Sequence, residues 1–294
     1  MDDQGTDAVL SGSLVLVATP IGNLGDLAPR AVAVLRDAQR IYCEDTRRTR
    51  ALLSANGIGG GSRLVSLHEH NEASRIGEAI RAIGEGAMVA VVSDAGMPAV
   101  SDPGQLLVAA VADAGLTITS VPGPSSVLAA LVVSGLATDR FVSEGFLPRK
   151  GAERVARIGS LKHEQRTAVI LESPKRLYAT VSELEEALDP ERIVVVAREL
   201  TKLHEEIWRG TLREAAARFD GEEVKGEVVI VLAGAEPAAA QPVSDAAIRK
   251  FVLAAMADGV TRRDAAHEAA ETFSVSKRRA YEIATSHGEN EPNA

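Results

Sequence analysis

The feature that most constrains this chain is a loop at residues 93–104, which reads SDAGMPAVSDPG. It follows an apolar run at 88–92, typical of a buried parallel strand, and it precedes a helical pattern at 105–114. Glycine, proline and short polar residues interrupt regular structure here, so backbone amides are expected to stay free at the carboxyl end of the strand. Ligands of open α/β sheets bind at that end. The loop therefore predicts an α/β protein that holds a small ligand largely through its main chain.

Strands and helices alternate along most of the chain, which favours parallel sheets with right-handed crossovers. The predicted strands of a first half lie at 14–19, 41–45, 64–67, 88–92 and 117–121. The predicted strands of a second half lie at 141–146, 168–172 and 193–198, followed by 204–209 and 227–233. Only a short helix separates the last two strands, so we expect them to pair with each other in antiparallel fashion.

Changes in composition divide the 294 residues into five segments. Aromatic residues make up only 3% of the chain, so the cores must be built from alanine, valine, leucine and isoleucine. The predicted segments are a disordered leader at 1–11, an N-terminal α/β domain at 12–123, a C-terminal α/β domain at 124–236, an Ala/Pro-rich linker at 237–243 and a helix-turn-helix-like tail at 244–294.

Bulk properties exclude several classes of protein. The single cysteine, Cys43, has no partner for an intrachain disulfide and is typical of a reducing compartment. No apolar run approaches the length of a membrane span, and the acidic start lacks the apolar segment of a signal peptide. We therefore expect a cytoplasmic protein with no membrane partner. The segment HEHNE at 68–72 superficially resembles a ligand cluster, but no cysteine supports it and no metal is expected.

Three short basic clusters stand out in a chain whose net charge is −9. An acidic protein that binds RNA must contact phosphates through local patches, and each cluster also fits an ordinary solvated surface. These clusters, which are candidate contacts to nucleic-acid phosphates, are Arg47, Arg48 and Arg50, then Arg149 and Lys150, then Lys277, Arg278 and Arg279.

An ordered series of motifs gives the sequence a specific resemblance. These motifs are TPIGNLGD at 19–26, EDTR at 44–47, HEHN at 68–71, SDAGMP at 93–98, SDPG at 101–104, PGPSS at 122–126, EGFLP at 144–148, ESPKR at 172–176, RELTK at 198–202 and KGE at 225–227. Together they closely resemble the ribosomal RNA small subunit methyltransferase I family, of the tetrapyrrole-methylase-like superfamily. The resemblance implies two α/β/α domains in a homodimer. It also implies S-adenosylmethionine-dependent 2′-O-methylation of a cytidine in 16S rRNA of the small ribosomal subunit.

The resemblance also implies which residues hold the methyl donor between the two halves. In the first half and the link these are Pro20, Asp94, Ala95, Gly96, Pro98, Ser101, Asp102, Ser125 and Ser126. In the second half they are Phe146, Glu172, Ser173, Leu200, Ala233 and Gly234. Two positions depart from the family pattern, since Met97 replaces a threonine and Lys175 replaces a histidine. A side-chain role at those two positions is therefore not expected.

The transferred methyl group needs alignment and a route for one proton. Well-oriented reactants lower a barrier by several kcal/mol, up to about 7–11. A general base contributes about 10²–10⁴-fold. The candidate catalytic residues are Glu44, Asp45 and Asn23, and His68 is a further candidate base. For each acidic candidate the alternative is a helix cap or an ion pair with Arg47 or Arg48.

Two other functions remain open from the sequence. One is a small-molecule methylase that acts on a tetrapyrrole with the same scaffold. The other is a regulator that binds nucleic acid through its tail and uses a degenerate ligand domain as a sensor. The basic clusters and the helical tail favour RNA methylation over both.

Overall fold

The computed structural model describes residues 10–236 and 244–286. Contacts divide the chain into one compact unit that ends at Ala235 and a second that begins at Glu236. The predicted linker at 237–243 and residues 1–9 of the predicted leader lie outside the described residues. Leu10 is buried in the first core, and the Ser11 hydroxyl donates to the Gly86 carbonyl at 3.0 Å. The division of the first unit into two domains stays a prediction.

The first half of unit one is a five-stranded parallel sheet, as the alternating pattern predicts. Its strands are β1 (Ser13–Val17), β2 (Arg40–Cys43), β3 (Leu64–Ser66), β4 (Val89–Val92) and β5 (Thr117–Val121). Its helices are α1 (Pro29–Asp37), α2 (Thr46–Ala55), α3 (Glu72–Gly84) and α4 (Gln105–Asp113). The strand order is β3-β2-β4-β1-β5, so the carboxyl ends of all five strands lie along one edge.

Both faces of this sheet are covered, which explains its continuous apolar strands. Val15, Ile41 and Ala90 pack with α1 and α2 on one face, while Leu14 and Val91 join the core on the other. On the second face, the buried carboxylate of Glu72 accepts hydrogen bonds from the amides of Gly104 and Leu107, at 3.1 and 2.9 Å. A carboxylate at a helix N-terminus is electrostatically favourable. Glu72 thereby fixes the start of α4 and the end of the 93–104 loop.

The second half contains a mixed sheet, and one sequence prediction about it is wrong. After α5 (Ser126–Ser134), its elements are β6 (Phe141–Phe146), α6 (Ala152–Ser160), β7 (Thr167–Glu172), α7 (Leu177–Ala187), β8 (Ile193–Arg198), β9 (Glu206–Thr211), α8 (Leu212–Phe219) and β10 (Val228–Leu232). The order is β6-β7-β10-β8-β9. Of the four pairs of neighbouring strands, the β6–β7 pair is parallel and the other three are antiparallel. Strands β9 and β10 do not pair with each other, because β10 inserts between β7 and β8. The all-apolar β10 is buried along its whole length, as a central strand requires.

Helix α5 connects the two halves and covers one face of the second sheet. Ser125 caps this helix by accepting a hydrogen bond from the Leu128 amide at 3.4 Å. Val127 and Leu131 pack against Val169 and Val229 of the sheet. Ile21, from the loop after β1, is buried in the same cluster. This contact brings the first loop of the N-terminal half against the second sheet.

The second unit is a bundle of three short helices. They are α9 (Asp245–Ala257), α10 (Arg262–Thr272) and α11 (Lys277–Thr285). Each begins after a hydroxyl cap, at Ser244, Thr261 and Ser276 respectively. Alanines at 265, 266, 269, 270, 280 and 284 form most of its buried core. Among the described residues, no helix is long and apolar enough to cross a membrane.

Candidate functional site

A cleft of about 450 Å³ lies where the strand ends of the two halves meet. We call it the central cleft. From the first half it is lined by Ile21, Glu44, Arg48, Asp94, Ala95, Gly96, Met97, Val100, Ser101 and Asp102. From α5, its cap and the second half it is lined by Ser125, Ser126, Val127, Phe146, Leu171, Glu172, Ser173, Pro174, Gly226, Glu227, Val228 and Val229. A site at the carboxyl ends of parallel strands is the arrangement that open α/β sheets favour.

The 93–104 loop forms one wall of the cleft in a constrained backbone conformation. Ala99 and Ser101 have φ values of 64° and 61°, which only a minority of non-glycine residues adopt. Gly96 exchanges two backbone hydrogen bonds with Thr19, of 2.9 and 3.1 Å, which ties the loop to the one after β1. The amides of Ala95 and Met97 have no acceptor within the described part of the chain. Free amides held on a rigid, strained loop are available to a ligand.

Five acidic residues line the cleft and give it a negative potential. Glu172 and Glu227 pair with Arg176 and Lys202, whereas the charges of Glu44, Asp94 and Asp102 repel one another. Burial raises the pKa of Glu44, and the charge of Asp94 raises it further. Burial also raises the pKa of Asp102 to about 6, with added repulsion from Glu44 and Asp94. Arg48 partly compensates, since its Nη1 lies 3.3 Å from Asp94 Oδ2. The excess of acid means that a cation in the cleft relieves repulsion that the protein alone does not.

Glu172 lies in the wall of the cleft and belongs to a buried hydrogen-bond network. Its Oε1 accepts from the Ser173 amide at 2.7 Å and pairs with Arg176 Nη2 at 2.6 Å. Its Oε2 accepts from the Thr180 hydroxyl at 2.7 Å, and Thr180 in turn accepts from Arg154 at 2.8 Å. Both oxygens are therefore already engaged within the protein. The network fixes the turn at Ser173, which faces the cleft.

A second cavity, of about 360 Å³, opens beside the central cleft. We call it the side chamber. It shares Ile21, Arg48, Asp94, Ala95 and Glu227 with the cleft. Its other lining residues are Thr19, Pro20, Gly22, Leu24, Thr49, Ala51, Leu52, Ser93 and Lys202. Two neighbouring compartments with a shared wall suit a reaction between two bound molecules.

The structure brings most of the predicted cofactor residues together. Ten line the central cleft: Asp94, Ala95, Gly96, Ser101, Asp102, Ser125, Ser126, Phe146, Glu172 and Ser173. Pro20 lies in the side chamber instead. Pro98 and Leu200 are buried and do not reach the wall of the cleft.

Ala233 and Gly234 are the two predicted cofactor residues that the structure places far from the cleft. Strand β10 is antiparallel to β7, with Val228 opposite Glu172, so β10 begins at the cleft and ends at the opposite edge. There Ala233 accepts a hydrogen bond from Arg192 at 2.6 Å, and Gly234 packs on the Gln165 backbone. The family resemblance implied these two residues, whereas the antiparallel direction of β10 places the start of the strand, not its end, at the cleft.

Of the three candidate catalytic residues, only Glu44 lines the central cleft. Asp45 caps α2 by accepting from the Arg47 amide at 2.8 Å, and it forms an ion pair with the Arg47 side chain. Those hydrogen bonds hold the pKa of Asp45 well below its usual range, so it is a weak base. Asn23 accepts from the Gly25 amide at 3.0 Å and caps a single turn of 3₁₀ helix. The capping alternative therefore describes Asp45, and Asn23 is a cap as well.

The predicted RNA contacts lie in three segments of the chain, two in the first unit and one in the second. Arg47, Arg48 and Arg50 are exposed on α2, where Arg48 also lines both cavities. Arg149 and Lys150 are exposed after β6. In the second unit, Lys277 and Arg278 are exposed at the start of α11, and Arg279 Nη2 lies 2.8 Å from Asp245 Oδ1. His68, the further candidate base, is exposed next to His70, with ring centroids 6.1 Å apart.

Sequence reasoning missed the residues that β10 contributes to the cleft. Residues 226–229 line its wall because β10 runs antiparallel, which places the start of the strand there. The KGE motif at 225–227 was a usable signal, since a glycine directly before a buried strand often marks a close approach. A Cβ on Gly226 would lie 2.3 Å from Glu199 Cδ, and its φ is +92°. Among the described residues, no group of three or more histidine, cysteine or acidic side chains is arranged to hold a metal ion.

Comparison with known proteins gives consistent relatives. The family described as Tetrapyrrole (Corrin/Porphyrin) Methylases matches residues 13–216. A protein of Synechocystis sp. called ribosomal RNA small subunit methyltransferase I is 45% identical over 92% of this chain and 97% of its own length. Proteins of the same name from Mycobacterium tuberculosis and Thermotoga maritima are 46% and 45% identical, over 88% and 76% of this chain and 90% and 100% of their own.

Solved structures confirm the predicted fold. A uroporphyrin-III C-methyltransferase from Thermus thermophilus superposes with a TM-score of 0.54 at 22% identity, covering 76% of this chain and 94% of its own. The same kind of enzyme complexed with S-adenosyl homocysteine gives 0.51 at 20% identity, covering 75% and 96%. At these identities the likeness concerns the fold alone, whereas the 39–46% identities of sequence relatives over most of the chain are specific. The chain therefore belongs to the ribosomal RNA small subunit methyltransferase I family.

Proposed function

We propose that this protein is an S-adenosylmethionine-dependent methyltransferase that 2′-O-methylates a cytidine in 16S rRNA of the small ribosomal subunit. The names of its relatives support rRNA of the small subunit as the substrate. The observation that carries the proposal is the acidic central cleft between the halves, with free amides on a rigid loop. This cleft is what a small cationic donor requires.

The residues present fit the donor chemically. The sulfonium and the amino group of S-adenosylmethionine are cationic, and Asp94 and Asp102 supply the opposite charge. Apolar side chains of Val100, Val127 and other residues leave an uncharged part of the wall for the adenine ring. The amides of Ala95 and Met97 are available to polar atoms of the donor.

The chain's own contribution to the chemistry is alignment and proton transfer. When bound, S-adenosylmethionine supplies an electrophilic methyl group. The two cavities share the wall formed by Ile21, Asp94 and Ala95, which keeps the acceptor oxygen and the donor on neighbouring sides. Glu44, whose pKa burial raises, accepts the proton that the 2′-hydroxyl loses.

RNA binds, in this proposal, through the basic surfaces around the cleft and in the tail. Arg47 and Arg50 flank Arg48 at the rim of both cavities, where phosphates next to the target ribose would lie. Arg149, Lys150, Lys277, Arg278 and Arg279 supply further contacts. These interactions position the RNA and make its binding dependent on salt.

The protein is further proposed to act as a homodimer in the cytoplasm. Helix α5 leaves Leu128 and Val132 exposed at 51% and 69%, four residues apart on one face. Neighbouring apolar side chains on a helix surface favour burial against a second chain. A sedimentation measurement on the full chain tests this assembly.

Methyl transfer from radiolabelled S-adenosylmethionine to isolated small ribosomal subunits tests the proposed function. Subunits come from cells that lack the protein, and nuclease digestion with mass spectrometry locates the modified ribose. We expect label on one cytidine 2′-oxygen. Asp94→Ala should remain folded but bind donor about 10–100-fold more weakly by calorimetry, since it removes a charge-assisted contact. Label on a precorrin and none on subunits would assign a tetrapyrrole methylase instead, and tight sequence-selective binding to duplex DNA without methyl transfer would indicate a regulator.

A further inference from the structure

The side chamber has the character of a site for an uncharged, flat, polar-edged group. Its two cations each pair with a carboxylate of the same wall, Arg48 with Asp94 at 3.3 Å and Lys202 with Glu227 at 3.0 Å. The rest of its wall is largely apolar, from Pro20, Ile21, Leu24, Ala51, Leu52 and Ala95. Each ion pair can form hydrogen bonds with a ligand, but its two charges cancel. The chamber therefore suits an uncharged nucleoside better than a charged phosphate.

One edge of the chamber is a loop that the structure holds in a strained and rigid conformation. Between β8 and β9, Glu199 and Thr201 have φ values of 52° and 67°. Lys202 Nζ lies 2.7 Å from Glu199 Oε1, and the Thr201 amide donates to Glu205 Oε2 at 2.6 Å. Non-glycine residues hold such φ values only when their surroundings enforce them. Here the ion pairs of Lys202 with Glu199 and Glu227 hold the loop in this conformation.

Two glycines allow this loop to sit directly on its neighbours. A Cβ on Gly22 would lie 2.5 Å from Lys202 Cγ, so only glycine lets the lysine stem cross the first loop. A Cβ on Gly226 would meet Glu199 at 2.3 Å. The position of the 199–205 loop beside the chamber therefore depends on Gly22 and Gly226 as well as on the loop itself.

This rigid loop presents a leucine almost entirely to solvent. Leu203 is 92% exposed and directly follows the chamber residue Lys202. Leu24, which lines the chamber, is 57% exposed. Both leucines belong to segments that contribute to the chamber wall, Leu24 directly and Leu203 through its neighbour Lys202. Exposed apolar side chains beside a cavity mark a site of interaction more often than scattered ones do. Proteins that unstack nucleic acid insert such apolar side chains where a base has left the stack.

We propose that the side chamber, with Leu24 in its wall, receives the target nucleoside turned out of its RNA stack, and that Leu203 occupies the space which the nucleoside leaves. The proposal rests on the proposed function and identifies how that substrate enters the site. Enzymes that act on one nucleotide of a structured nucleic acid extrude it in this way. The phosphates on either side then remain outside, near Arg47 and Arg50, rather than in the neutral chamber.

Single-turnover methyl transfer to small subunits tests the wedge. Leu203→Ala should slow the rate constant about tenfold or more, because unstacking is no longer offset, while calorimetric donor affinity stays unchanged. Leu203→Met, which keeps the bulk, should stay within about threefold of wild type. Val155→Ala is the matched control, since Val155 is 73% exposed on α6, away from both cavities.

A second readout separates the wedge from ordinary packing. An RNA fragment that spans the mapped target, with 2-aminopurine next to it, should brighten when wild type binds and should brighten less with Leu203→Ala. A Leu203→Ala variant with wild-type rate and fluorescence would overturn the proposal, and so would a variant whose only change is a lost oligomer. If wild type itself transfers no methyl group to subunits, the proposed function fails instead.

Discussion

Replacing Asp102 by asparagine should make the protein more stable while making the central cleft a poorer site for a cation. Burial, together with the carboxylates of Glu44 and Asp94, raises the pKa of Asp102 to about 6 from an ordinary value of 3.8. Between these two pH values the folded protein holds a proton that the unfolded chain releases. The free energy of unfolding therefore falls as pH rises through this range, and the loss is complete near neutral pH.

The size of the effect follows from the shift in pKa. A change from 3.8 to about 6 corresponds to about 3 kcal/mol at 1.36 kcal/mol per pH unit. Asp102 is only partly buried, so solvent screening reduces the expected gain of Asp102→Asn to about 1–2 kcal/mol at neutral pH. In a unit of this size, that gain raises the melting temperature by about 2–8 °C.

Urea unfolding of the wild type and of Asp102→Asn across pH 4 to 8 measures the effect, with the fluorescence of Trp208 as the probe. Trp208 is the only tryptophan and lies in β9 of the first unit. We expect the gain at neutral pH to shrink towards zero near pH 4. Asp139→Asn, in an exposed position before β6, is the control and should change stability by less than about 0.5 kcal/mol. Equal stabilities at neutral pH, or a gain that does not depend on pH, would refute the reasoning.

Three other changes test separate parts of the structure. Glu172→Gln leaves the buried end of Arg176 without a counter-charge and should lower the free energy of unfolding by about 3–5 kcal/mol in urea; a loss below about 1 kcal/mol would contradict the network. Gly226→Ala forces Glu199 aside and should reduce methyl transfer at least about tenfold with the fold retained by circular dichroism, whereas Gly221→Ala, also at positive φ but with open space around it, is the control. Replacing Lys277, Arg278 and Arg279 by alanine should weaken binding of rRNA and reduce the slope of log affinity against log salt by up to about 3, and an unaltered slope would remove the tail from the RNA surface.

Much of the first half is predictable from sequence because local rules determine it. Each parallel strand is a continuous apolar run followed by a loop with glycine, proline or a short polar residue, and all such strands end at the same edge. The 93–104 loop could therefore be placed at the ligand-binding edge before any coordinates were known, whereas the assignment of Asp94, Ser101 and Ser125 to the donor followed from the family resemblance. Ser125 is also a residue type typical of the position before a helix, and it caps α5.

The second half is less predictable because strand order is a property of the whole sheet. The sequence VVIVL at 228–232 does not by itself indicate that the strand lies between β7 and β8 or that it is antiparallel to both. That one direction decides that Glu227 and Val228 belong to the cleft while Ala233 and Gly234 do not. Asp45 shows a different limit, since an acid at the end of a strand is equally suited to cap the next helix or to act as a base.

The most direct test of the account is a crystal structure of this protein soaked with S-adenosylhomocysteine, the product of the proposed donor. We predict density in the central cleft, with polar contacts to the amides of Ala95 and Met97, to Ser125 and to the start of β10. Clear density for the molecule bound elsewhere, with Asp94 and Asp102 facing only water, would contradict the proposal that both halves hold the donor between them.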